Sequence, residues 1–309
     1  MKKRSILFLG GDLRQYYMAK SLIQRGFAIS YYGALFPQEL PAVRHCKDKE
    51  EVWAKLMQKN VVLVLPSPAT ADGMHIAGNG LREESATLVE ALERLKCGHM
   101  VFGGAYPAYF WHAMEEKRCL VTDLSQNDRF VMKNTAAMAE GAVIEAALLS
   151  DNMLCGSRSL VIGFDCLGEM LARRLRGMKS QVTVMSQKRT DCLHAKKQGY
   201  ESVLADEITK SADKQGEWAF RFVFQTDECP VLTDRHWNAM PPDVVILDLS
   251  PVKKQVDLGY ASRHGMTAKH VPDLPGKFAA KAVGETMAQL LWESLQREEA
   301  SGEAFILFP

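Results

Sequence analysis

The sequence predicts an α/β protein built from two doubly wound parallel-sheet domains, and three observations predict it. Short apolar, β-branched runs alternate with helix-period segments through both halves of the chain, the pattern of parallel strands covered by helices on both faces. The length, 309 residues, exceeds one ordinary domain and suits two. An alanine-rich segment of helical period, Arg129 to Ser150, divides the alternation in the middle, as a rigid linker helix would.

The elements follow in order. Ile6–Leu9 is a buried strand, Gly10-Gly11-Asp12 a turn, and Gln15–Arg25 a helix closed by Gly26. Ala28–Tyr32 is a strand, Glu50–Lys59 a helix, and Val61–Leu65 a fully buried strand stopped by Pro66. A Pro/Ser/Thr-rich loop runs on to Asp72. Glu83–Lys96 is a helix stopped by Gly98, His99–Phe102 a strand, Ala108–Glu116 a helix, and Cys119–Val121 a strand. Past the linker, the strands are Leu160–Ile162, Gln181–Met185, Ala219–Phe224 and Val244–Leu249. A turn at Pro272-Asp273-Leu274-Pro275-Gly276 precedes a last amphipathic helix, Phe278–Gln296, with Val283, Met287, Leu290, Leu291 and Leu295 on one face. The apolar end, Phe305–Pro309, is expected to dock on its own surface or on a partner.

Composition narrows the function. Hydrophobic residues make up 47%, charged residues 24%, and the formal net charge is +1, so neither a nucleic acid nor a membrane surface is an expected partner. No apolar run approaches the roughly 20 residues that span a bilayer. The basic start is followed by too short an apolar stretch for a signal peptide. Seven dispersed cysteines, without C-x-x-C or histidine spacing, fit a reducing cytoplasm and give no metal site.

The most informative stretch is Ser159–Leu175, SLVIGFDCLGEMLARRL. Strand, glycine turn and helix are the layout of a dinucleotide-binding βαβ unit, so the second half is read as a Rossmann-like domain. Of the G-x-G-x-x-G fingerprint, Gly163 and Gly168 hold the outer places and Asp165 the middle one. A carboxylate there adds bulk and negative charge where the pyrophosphate would approach. Leu167, inside the fingerprint, joins the cofactor-binding set. About 20 residues on, where an NAD enzyme carries an acidic residue, the sequence is Ser186-Gln187-Lys188-Arg189. Two cations and a hydroxyl suit a 2′-phosphate, so NADP is expected over NAD. A cofactor-free protein with a solvated basic loop is the other reading, and it stays open.

Other candidates are less sharp. Asp12 and Arg14 open a helix at the carboxyl end of the first strand, where ligands bind in open α/β sheets. Arg14 reads as a fork for a substrate carboxylate, or Asp12 as a helix cap and Arg14 as a surface residue. Asn134 and Thr135 read first as caps of the linker helix, and Glu140 as a solvent residue or a base. Lys281 reads as a solvent lysine or a carboxylate ligand. Thr226 stands at the end of the fourth cofactor-domain strand. His112, His236 and His270 have no recognisable partner spacing and receive no role.

With these landmarks placed, the chain resembles the A subunit of dipicolinate synthase over nearly its whole length. The resemblance rests on Gly10-Gly11-Asp12-x-Arg14-Gln15, Leu65-Pro66, Asn134 with Glu140-Gly141, and the turn at Gly163. It continues through Leu247-Asp248-Leu249, Leu274-Pro275-Gly276-Lys277 and Ala280-Lys281. It implies a layout similar to 2-hydroxyacid dehydrogenases: a flavodoxin-like substrate domain over 1–127, a linker helix over 128–156, an NAD(P)-binding domain over 157–274, and a segment over 275–309 packing back on the first domain. It implies NADP-dependent oxidation of dihydrodipicolinate in sporulating cells, beside a flavoprotein-like B subunit, and a homo-oligomer. Glu140 and Lys281 are then the candidate catalytic groups, and Asp12, Arg14, Asn134 and Lys281 the substrate ligands. The sequence departs from the family at Asp165, at Ala137-Met138, over Gln225–Pro230 and over Ser250–Lys254. A non-catalytic paralogue with a binding or regulatory role is the alternative that these departures carry.

Overall fold

The computed structural model describes residues 4–58, 60–78, 86–207, 220–227, 232, 234–250 and 256–301. The chain divides into two compact units, Met1–Asn134 with Ala279–Pro309, and Thr135–Phe278. Predictions on Glu83–Ser85, Ala219, Glu228–Pro230, Pro251–Lys254 and Phe305–Pro309 lie outside the described residues.

The first unit runs β1 (Ser5–Leu9), α1 (Leu13–Ile23), β2 (Ala28–Tyr32), β3 (Val43–His45), α2 (Lys49–Leu56), β4 (Val61–Val64), α3 (Leu88–Arg94), β5 (Met100–Gly103), α4 (Ala108–Lys117) and β6 (Leu120–Asp123). A single 3-10 turn, Leu124–Gln126, leads to α5 (Asp128–Leu149), and the unit boundary falls inside that helix. The sheet is parallel, in the order β3-β2-β1-β4-β5-β6. Without the three-residue edge strand β3, the order of the rest is the flavodoxin-like one. The central strands β1 and β4 are apolar at nearly every position because both their faces are covered.

The second unit follows the rest of α5 with β7 (Arg158–Ile162), α6 (Cys166–Gly177), β8 (Gln181–Ser186), α7 (Arg189–Lys197), β9 (Glu201–Leu204), β10 (Phe222–Gln225), α8 (Asp234–Ala239), β11 (Val245–Asp248), α9 (Leu258–Arg263), β12 (Thr267–His270) and α10 (Leu274–Phe278). Its parallel sheet has the order β9-β8-β7-β10-β11-β12, that of dinucleotide-binding sheets. One apolar cluster joins Ala139, Ala142 and Ala146 of α5 with Leu171 and Leu175 of α6 and the sheet residues Val161, Phe224 and Leu247. The opposite face is covered by Trp237, Met240, Val256 and Ala261 over Ile162, Val223 and Ile246.

The last helix, α11 (Ala280–Ser301), belongs to the first unit and packs against α1. Gly284 makes this packing close, since a Cβ there would stand 2.4 Å from the Arg14 carbonyl oxygen.

Two sequence expectations are corrected. The expected turn at Pro272–Gly276 is half helix: α10 starts at Leu274 and places Pro275 in its first turn, where a missing N–H costs nothing. Asn134 does not cap the linker helix, because α5 starts at Asp128 and Asn134 falls in its second turn. The strands β3, β9 and β12 were not foreseen. Each is a sheet edge of three or four residues, with partly exposed side chains that break the apolar pattern.

Candidate functional site

In the second unit, the order of the strands reverses between β7 and β10, and the crevice at the carboxyl ends of these strands is where an open α/β sheet takes ligands. Gly163 leaves β7 at φ +94°, and a Cβ on it would lie 2.6 Å from Thr226 Oγ1. Gly168 is held as tightly: its Cβ would stand 2.3 Å from the Gly163 carbonyl oxygen. These are the steric demands of the first and third fingerprint glycines, a tight turn and close helix–strand packing. Thr226 is buried beside the turn, its hydroxyl donating to the Ile162 carbonyl at 2.9 Å.

The middle position behaves differently. Asp165 is the N-cap of α6, and its Oδ1 accepts from the Gly168 N–H at 2.9 Å. One amide of the helix start is thus taken by the chain's own carboxylate, at a place where amides and the helix dipole favour an anion. At the next residue, burial and then the negative charges of Asp165 and Glu169 push the Cys166 thiol up. Leu167 turns its side chain into the core beneath.

At the end of β8, Ser186 is fully buried, donating to Asp191 Oδ2 at 2.9 Å and accepting from the Lys188 N–H at 3.0 Å. It shapes the turn and presents Gln187, Lys188 and Arg189, all exposed. Lys188 is the N-cap of α7 without a side-chain cap bond, and Arg189 is its first residue. Neither cation has an ion pair among the described residues. Two cations at a helix start are placed against the dipole, an arrangement that an anionic ligand would relieve.

The candidates in the first unit close on each other. Asp12 caps α1 in a capping box with Gln15. Arg14 is buried, its Nε bonded to both Asp12 carboxylate oxygens at 3.0 Å, its Nη2 2.9 Å from Oδ2, and its Nη1 donating to Asn134 Oδ1 at 3.0 Å. The structure therefore brings Asp12, Arg14 and Asn134 together, with the cation already neutralised. The turn before them is sealed, because Gly11 donates to the Ala77 carbonyl and a Cβ on Gly10 would meet that oxygen at 2.4 Å. Glu140 lies on the second unit, 62% exposed and 3.0 Å from Arg174 Nη2. Lys281 lies on α11 of the first unit, 70% exposed and 4.0 Å from Glu285 Oε1.

Sequence reasoning missed two charged clusters in the second unit. Glu145 on α5 is buried and bridges Lys269 of β12 and Lys277 of α10, the latter at 2.7 Å. Burial pushes its carboxyl up, but the hydrogen bonds and charges of the two lysines outweigh this and hold it below the ordinary value. The alanine-rich period around Glu145 gave the only hint, a lone acid on the apolar stripe of a helix. The other cluster is Asp248 with Ser250 and His270, in which the histidine, 20 or so residues from the other two, meets them only through strand pairing.

Residues 5–125 match the family model of the N-terminal domain of the dipicolinate synthase A subunit. The A subunit of dipicolinate synthase from Bacillus subtilis strain 168 is 23% identical over 298 residues, which cover 96% of this chain and 97% of the relative. Over nearly its whole length the chain is similar to the A subunits of dipicolinate synthase, and over its first domain it matches their family model. The crystal structure of the dipicolinate synthase A subunit from Bacillus halodurans aligns with a TM-score of 0.80 at 21% identity, over 95% of this chain and 98% of that one. The apo-structure of D-lactate dehydrogenase from Escherichia coli aligns with a TM-score of 0.58 at 11% identity, over 95% of this chain and 97% of that one. Both likenesses carry the fold, and the resemblance read from the sequence is borne out. This chain keeps the outer fingerprint glycines where sterics demand them and fills the middle place with a helix cap.

Proposed function

We propose that this chain is an NADP-dependent oxidoreductase of the dipicolinate synthase kind, oxidising dihydrodipicolinate to dipicolinate. One observation carries the reading: a glycine turn without room for a Cβ at either Gly163 or Gly168, opening at the point where the sheet order reverses, with the exposed Lys188 and Arg189 at the end of the next strand. The family relationship and the dehydrogenase-like fold support it. The nicotinamide supplies the hydride chemistry when bound. The protein supplies the phosphate turn and two cations for a 2′-phosphate. On this reading the protein works beside a flavoprotein-like partner protein, which co-purification from the host tests.

A second reading has its own observation. Asp165 fills from within the helix start that a pyrophosphate would use, which favours a non-catalytic protein with a binding or regulatory role. Titration of nicotinamide emission with NADPH and NADH separates the two. Saturation in the micromolar range, tighter for NADPH, supports the oxidoreductase. No change with either nucleotide up to millimolar concentration leaves the non-catalytic role.

A further inference from the structure

The second unit carries a polar row outside the glycine turn. Gln225 of β10 pairs in register with Asp248 of β11, and Asp248 with His270 of β12. Residues two positions back, Val223, Ile246 and Ala268, form the apolar cluster on one face of the sheet. By alternation, the three polar residues continue that face at its carboxyl edge. Asp248 is 1% exposed, and its Oδ1 accepts from the Ser250 N–H at 3.0 Å and from the Ser250 hydroxyl. Its other oxygen, Oδ2, stands 3.3 Å from His270 Nδ1. This is an ion-pair contact without a hydrogen bond, and the His270 side chain, 14% exposed, is reachable from solvent.

A buried carboxylate fixed by a hydroxyl and an amide, at ion-pair distance from Nδ1, attracts the imidazole once the ring has taken a proton. Its place in the sheet gives it a use. A dinucleotide lies across two mononucleotide halves, and the glycine turn with Lys188 and Arg189 marks the β7-β8-β9 half as the adenosine side. The β10-β11-β12 half, which carries Asp248 and His270, is then the nicotinamide side. We infer that His270 is the proton acceptor of the oxidation and Asp248 the charge that favours the proton's arrival, an inference that rests on the oxidoreductase reading. Oxidation of the dihydropyridine ring breaks one ring C–H bond, whose hydrogen and electron pair pass as hydride to the nicotinamide. A second ring hydrogen leaves as a proton to His270, and the ring becomes aromatic.

The test uses the full chain and diethyl pyrocarbonate, with modified histidines located by mass spectrometry. His270 should be carbethoxylated in the free protein, and saturating NADPH should slow this at least fivefold. His112, whose side chain is 78% exposed, should react at an unchanged rate. A His270 that is inert in the free protein, or that reacts equally fast while NADPH emission shows binding, overturns the inference and leaves the oxidoreductase reading standing. Absence of NADPH binding overturns both. In turnover, His270→Gln should lower kcat by roughly a hundredfold or more with NADPH affinity within twofold of the parent. Asp248→Asn should lower kcat less, and an unchanged kcat in both variants refutes the proton role.

Discussion

Replacing Asp165 tests the phosphate turn most directly. In Asp165→Gly the carboxylate that holds the Gly168 N–H at 2.9 Å is gone, and a phosphate gains that amide. A phosphate taking the amide in the parent would stand about 4–5 Å from the displaced carboxylate, where two unit charges repel by about 1 kcal/mol in water and about 4 kcal/mol at an effective dielectric of 20. Asp165 is exposed, which favours the lower end, while a pyrophosphate brings two charges. The expected gain is about 1.5–3 kcal/mol, or roughly 10–150-fold in Kd for NADPH. The helix loses little, since glycine at an N-cap costs only a few tenths of a kcal/mol. Asp165→Asn keeps a cap and removes the charge, so it should recover most of the gain if charge dominates. The assay is titration of NADPH emission at two ionic strengths, and the advantage of both variants should shrink as salt rises. Parent and variants binding within twofold of one another would refute the argument, because the carboxylate would then be turned from the phosphates.

Other outcomes are expected. Lys188→Ala combined with Arg189→Ala should weaken NADPH by roughly tenfold or more and leave NADH unchanged, erasing any preference in the same titration. Gly168→Ala should destabilise the second unit by roughly 1–3 kcal/mol in urea unfolding, because its methyl would meet the Gly163 carbonyl at 2.3 Å and neither backbone segment yields cheaply. Glu145→Gln should cost about 2–3 kcal/mol in the same assay, less than a wholly buried pair because both lysine partners are half exposed. Glu145 also sets a pH dependence. Its folded carboxyl is held below its unfolded value, so its stabilisation is complete above about pH 4.5 and is lost as pH falls through the folded value. The urea midpoint of the parent should therefore fall more steeply than that of Glu145→Gln in acid.

Much of the fold was legible because the central strands are buried on both faces and read as unbroken apolar runs, as Val61–Leu65 and Leu160–Ile162 do. Edge strands lack that signature, so Glu201–Leu204 and Thr267–His270 stayed hidden until pairing revealed them. At the candidate site, the glycine turn was visible because strand, glycines and helix follow one another within a few residues, although Thr226, which crowds Gly163, comes from the far end of another strand. The partners of Arg14 were half visible: Asp12 is two residues away, whereas Asn134 is brought in by the fold from 120 positions off. Asp248 and His270 were invisible for the same reason, since only the register of β11 with β12 makes them neighbours.

The path of the chain orders events during synthesis. Every residue of the second unit, Thr135–Phe278, leaves the ribosome before α11 does. The first unit begins earlier and finishes later, with the face of α1 around Met18 bare until α11 arrives to meet it. A ribosome paused after Phe278 would therefore carry a second unit free to complete its core and a first unit still open. The unit begun first is then the one that depends longest on protection from aggregation.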